Sequence, residues 1–173
     1  MCSMFWFGKD NNSGNSNDMK NFEFYRANVL AQYIINKCVT EDVPISNLQL
    51  QKILYFIQFN FFRNFNSPAF LDKIEAWQHG PVVPCVYDEF AYMAGNPIIR
   101  EFNVDTNIFI HNVDRALVDR IVETCRILKP WDLVELTHKK GSPWEQVYEE
   151  GKRNEITLQI IAEYAKERRL HGK

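Results

Sequence analysis

Trp77-Gln78-His79-Gly80-Pro81-Val82-Val83-Pro84 is a run whose residue types make sense together as a stiff corner between two packed elements. Gly80 can adopt backbone angles closed to other residues, while Pro81 fixes its own φ and favours an extended conformation in the residue before it. Pro84 stands where a helix can begin without losing a needed N–H, and Val86, Tyr87, Phe90 and Met93 follow at helical spacing. The stretch predicts a turn, a helix from Pro84 to near Gly95, and a short extended approach between Ala69 and Trp77.

Upstream, Ser46 and Gln49 have the spacing of a capping box, and Ile45 and Leu50 that of a hydrophobic staple. A helix therefore starts at Ser46. Leu50, Ile53, Leu54, Ile57 and Phe61 make one face, and Tyr55, Phe56, Phe59 and Phe62 load the opposite side, so this is the expected central core helix. Lys52 sits within it, and its charge must leave the core or find a partner. An earlier amphipathic helix is predicted from Phe24 to about Cys38 through Ala27, Leu30, Ala31 and Ile34.

Downstream, Asn112 can cap a helix reaching about Leu128, with Leu117, Ile121, Val122, Cys125 and Leu128 as its stripe. Asp132 to His138 is expected as a compact helix burying Leu133 and Leu136. Ser142-Pro143-Trp144-Glu145 combines an N-cap, a proline at the first helical position and a second capping-box signal. A last helix is predicted from Thr157 to about Arg168, using Ile160, Ile161, Tyr164 and Ala165. Ile98 to Ile110 lacks helical period, and Ile108-Phe109-Ile110 is read as a short extended piece. The expected fold is mainly α, a single globular domain of about six to seven helices, with at most a small strand element near the His-Gly-Pro corner.

The composition agrees with one domain: 173 residues, 46% hydrophobic and 24% charged, enough apolar material for a single core. Residues 1–21 read as an apolar tip on an Asn/Ser/Gly-rich leader, and residues 22–173 as the helical domain. Phe5, Trp6 and Phe7 in that tip are candidate aromatic anchors for a partner chain or a second copy of this one. A net charge of −2 brings no global attraction to nucleic acid, which is not expected as a direct ligand. Cys2, Cys38, Cys85 and Cys125 form no Cys-x-x-Cys pair, and no run resembles a membrane span or secretory signal. These features predict reduced thiols and a cytoplasmic location.

His79 and His138 are the histidines in motif-like settings, each readable as a base, a metal ligand or a hydrogen-bond strut. No spacing supplies the rest of a metal shell, so no metal is expected. Cys85, just inside a helix start, could act as a nucleophile with His138 or serve as inert packing. No phosphate cradle, nucleophile elbow or helix-turn-helix signature is present, which favours binding over turnover.

Ser46-Asn47-Leu48-Gln49-Leu50-Gln51-Lys52-Ile53-Leu54-Tyr55, the block from Glu75 to Tyr87, Leu133-Val134-Glu135-Leu136-Thr137-His138 and Pro143-Trp144 together resemble the Panacea domain of toxin-neutralising, often phage-associated antitoxins. The resemblance runs in order and register over roughly residues 22–168. It implies a non-enzymatic cytoplasmic protein, without a cofactor, that neutralises a co-encoded protein toxin by direct contact. Carried over residue by residue, it points to Trp77, His79, Tyr87, His138 and Trp144 as partner-binding positions, each with a competing role in the core of the corner. Gly80, Pro81, Val82, Pro84 and Pro143 are read as structural. An adaptor handing its partner to a protease, and a Cys/His-dependent enzyme, are the alternatives.

Overall fold

The computed structural model describes residues 24–104 and 112–170. The chain is organised around helix α2 (Asn47–Phe65), which begins as a capping box: the Ser46 hydroxyl accepts from the Gln49 N–H, and Gln49 Oε1 accepts from the Ser46 N–H at 3.1 Å. Two otherwise unpaired donors of the first turn are thereby satisfied. The same glutamine donates through Nε2 to the Leu128 carbonyl at 3.2 Å, so one residue both starts this helix and holds the end of another. Ile45 and Leu50 are buried, as the staple requires. Asn66, left-handed at φ 54°, ends the helix by donating to the Phe62 carbonyl.

Helix α1 (Ala27–Thr40) starts three residues later than Phe24, and its cap comes from elsewhere in the chain. Asp72 Oδ2 accepts from the Ala27 N–H at 2.9 Å, a role Arg26 has no side-chain oxygen to fill. After α2, the buried Gln58 holds the returning chain, accepting from the N–H groups of Ala69 and Phe70 and donating to the Phe70 carbonyl. Strand β1 (Glu75–Trp77) then pairs antiparallel with β2 (Gly80–Val82), Trp77 facing Gly80 across the Gln78-His79 turn. The corner is thus a hairpin. Its outer edge is covered by residues 154–156, where Ala76 donates to the Asn154 carbonyl and Ile156 to the Ile74 carbonyl, both at 2.8 Å.

Helix α3 (Pro84–Phe90) starts at the expected proline but tightens into a 3-10 turn over Ala91–Met93. Ala94, not Gly95, takes the positive φ there, at 50°. Then come α4 (Asn112–Arg126), α5 (Pro130–Thr137), α6 (Pro143–Val147) and α7 (Leu158–Leu170), seven α-helices among the described residues. Helix α2 packs against α1, α3, α4, α5, α7 and β2. The fold is mainly α with one small two-stranded sheet, as the sequence indicates.

Three local expectations change. Leu136 is 38% exposed, while Leu133, Val134 and Thr137 are buried, because packing against α2 and β2 sets which face of α5 turns inward. In α7, Ile161 and Ala165 are buried while Ile160 and Tyr164 are half-buried. At α6, Ser142 caps the Glu145 N–H, but Glu145 Oε2 accepts from Gly141 and not from Ser142. The Ser142 N–H is already committed to the Lys139 carbonyl. The Ile108-Phe109-Ile110 piece lies outside the described residues.

Candidate partner-binding cleft at the hairpin

Gly80 is where three elements meet. Its φ is +98°, so the ordinary extended conformation expected ahead of Pro81 is not adopted. A Cβ at Gly80 would come within 2.6 Å of Thr137 Oγ1 on α5 and 2.9 Å of Lys52 Nζ on α2. Only glycine fits both the angle and the space. The neighbouring Pro81 carbonyl accepts from Lys52 Nζ at 2.9 Å, which answers where that lysine goes: it stays inside, 0% exposed. Burial lowers its pKa to about 7, since the interior penalises the charged form.

The polar residues before it on α2 hold the chain after the hairpin. Gln51 Oε1 accepts from the Val83 N–H at 2.9 Å, Gln51 Nε2 donates to Asn47 Oδ1, and Asn47 Nδ2 donates to the Tyr87 carbonyl. This relay of satisfied amides sets the start of α3 against α2.

The aromatic residues divide between interior and surface. Trp144 is 8% exposed, lies flat on His138 with ring centroids 3.6 Å apart, and stacks on Tyr148 at 4.4 Å. Its indole N–H donates to the Trp77 carbonyl at 2.8 Å, tying α6 to the hairpin. Burial, with Lys52 and His79 nearby, pulls the His138 pKa below the usual histidine value. Trp77 is half-buried; its indole N–H donates to Glu75 Oε2, its ring meets Tyr87 edge-on at 4.7 Å, and the Arg153 guanidinium lies over it at 4.1 Å.

Trp77, Tyr87, His79 and Trp131 line a cleft of about 400 Å³, with Asn47 and Lys52 beneath. Trp131 stands at its mouth, 58% exposed, with the His79 ring edge-on at 5.1 Å. An exposed indole held beside a fixed turn is a surface suited to burial against a protein.

The family model described as Antitoxin SocA-like, Panacea domain, matches residues 50–145. That match runs from Leu50 in α2 through the hairpin and α5 into α6, and takes in the cleft lining except Asn47 and Leu48. The chain belongs to this family. Antitoxin SocA from Caulobacter vibrioides (strain NA1000 / CB15N) is 32% identical over 130 residues, covering 70% of this chain and 69% of that protein. No solved structure gives a significant match.

In this member of the Panacea-domain family, the predicted positions Trp77, His79 and Tyr87 come together at the cleft, and His138 and Trp144 lie behind the hairpin as a stacked pair. Gly80, Pro81 and Val82 form β2, while Pro84 and Pro143 open α3 and α6. Phe5, Trp6 and Phe7 lie outside the described residues. Trp131 belongs to none of the sequence motifs; the signal for it lies in its place beside Pro130, off the apolar stripe of α5. The Cys85 thiol donates to Asp72 Oδ1 at 3.6 Å, and burial raises the thiol pKa of Cys38 and takes that of Cys125 to about 11. Among the described residues no cluster of three or more His, Cys, Asp or Glu side chains could hold a metal ion, and no helix is long and apolar enough to cross a membrane.

Proposed function

We propose that this chain is an antitoxin that neutralises a protein toxin by binding it directly at the hairpin cleft. The observation that carries the reading is the exposed Trp131 indole set edge-on against His79, with Trp77 and Tyr87 forming the wall below. Aromatic anchors on a preformed face lose little freedom on association and supply most of an interface's affinity. His138 and Trp144 act from behind, holding the hairpin in place. The Phe5-Trp6-Phe7 tip is a second contact that adds to specificity. Turnover is not part of the mechanism, and the protein works in the cytoplasm.

The test is co-expression with the toxin encoded beside it. Growth is restored, a stable complex co-purifies, and replacing both Trp131 and His79 by alanine lowers both readouts. If neither rescue nor a complex is seen with the wild-type chain, the proposal fails. A toxin that disappears instead of staying present and silent makes the protein a delivery adaptor for proteolysis. Loss of rescue on Cys85→Ala with the complex intact points to the enzyme alternative.

A further inference from the structure

Lys52 is fully buried, and among the described residues its amine has one hydrogen-bond acceptor, the Pro81 carbonyl. An ammonium carries three donors. The other polar groups beneath the cleft are engaged, Gln51 between Asn47 and Val83 and Asn47 with the Tyr87 carbonyl. No aspartate or glutamate lines the cleft. The histidines nearby, His79 in its lining and His138, which feels the Lys52 charge, can only add positive charge. An amine buried without a counter-ion gives up its proton near neutral pH unless an anion reaches it.

We propose that the cleft takes a carboxylate on an apolar or aromatic stem, supplied by the bound protein partner, with the anion pairing with Lys52 and the stem lying between Trp131, His79 and Tyr87. This rests on the cleft being the toxin contact, and it names the chemistry recognised there. Charge complementarity selects the occupant: one cationic floor within aromatic walls matches one negative charge with an apolar neighbour. A doubly charged phosphate would find a single cation and no guanidinium fork among the lining residues. On binding, Lys52 would take up a proton as the carboxylate arrives, since an opposite charge favours the ammonium.

The probes are the capped dipeptides acetyl-Phe-Glu-amide and acetyl-Phe-Gln-amide, titrated into the full chain at pH 6.5. The readout is the indole N–H resonances, with Trp131 assigned through Trp131→Phe. The glutamate peptide shifts the Trp131 and Trp77 signals with an affinity about tenfold above its amide counterpart. Lys52→Met abolishes that preference, and if this variant does not fold, the wild-type preference must instead decline between pH 6.5 and 9 as Lys52 deprotonates. Equal binding of both peptides, binding of neither, or a preference that ignores both Lys52→Met and pH overturns the inference. Toxin capture that still depends on Trp131 in that event leaves the docking reading standing.

Discussion

The indole N–H of Trp144 donates to the backbone carbonyl of Trp77 at 2.8 Å, joining residues 67 apart in sequence. Through this bond, helix α6 holds the strand whose side chain forms the cleft wall. Trp144→Phe keeps a ring for His138 and Tyr148 to stack on but removes the donor, so a loss of about 1 kcal/mol is expected. Trp144→Ala also empties a buried aromatic site and should cost about 3–5 kcal/mol. Urea denaturation checks both, and equal losses in the two variants would contradict this division.

Gly80→Ala must both hold alanine at φ +98° and place a Cβ 2.6 Å from Thr137 Oγ1. The combined cost is about 2–5 kcal/mol. Adding Thr137→Ala relieves the crowding from that hydroxyl but not the backbone angle, so a double-mutant cycle should show partial recovery. Full recovery would mean that the angle carries no cost.

Lys52 has a pKa lowered from 10.5 to about 7 by burial. Between those values the unfolded chain holds a proton that the folded chain lacks, so wild-type stability rises with pH across that window. Lys52→Met removes this dependence. Its stability advantage over wild type should be largest below pH 7, at most a few kcal/mol, and shrink toward pH 10. His138, whose pKa is also lowered by burial, acts in the same direction but at lower pH, so it leaves the alkaline window to Lys52. A stability difference that stays flat from pH 6 to 10 would show that Lys52 is not desolvated in the folded chain.

Gln51→Leu keeps the volume of a buried side chain while removing the acceptor for the Val83 N–H. That donor is left unpaired at the start of α3, for a loss of about 1–3 kcal/mol. Faster hydrogen exchange at Val83 is the local signature to look for.

Trp131→Ala should leave stability within about 0.5 kcal/mol, because the side chain is largely in water. Its effect should fall on the complex, raising the dissociation rate more than it changes the association rate. Surface-binding kinetics with the purified toxin separates the two.

Local chemistry made much of this fold legible. The Ser46 and Gln49 capping box, the helix starts at Pro84 and Pro143, and the turn ahead of Gly80-Pro81 all depend on groups within a few residues of one another, although the hairpin pairing and the positive φ of Gly80 do not. Leu136 lies outward, against the sequence expectation, because an apolar stripe shows that a helix has a buried face while its neighbours decide the rotation. The cap of α1 was invisible for a similar reason: its oxygen comes from Asp72, 45 residues away.

The cleft shows the same division. Sequence alone determined the corner and the mainly helical class, because turn geometry, helix caps and hydrophobic period are written in short-range spacing, and its motif blocks carried the resemblance to the Panacea domain. Tertiary structure alone decided that Lys52 stays buried on the Pro81 carbonyl, that His79 meets Trp131, and that Trp144 faces inward while Trp77 borders the cleft. Those outcomes depend on how α2, α5 and α6 close around the hairpin, and packing between segments far apart in sequence follows from their shared volume and hydrogen bonds.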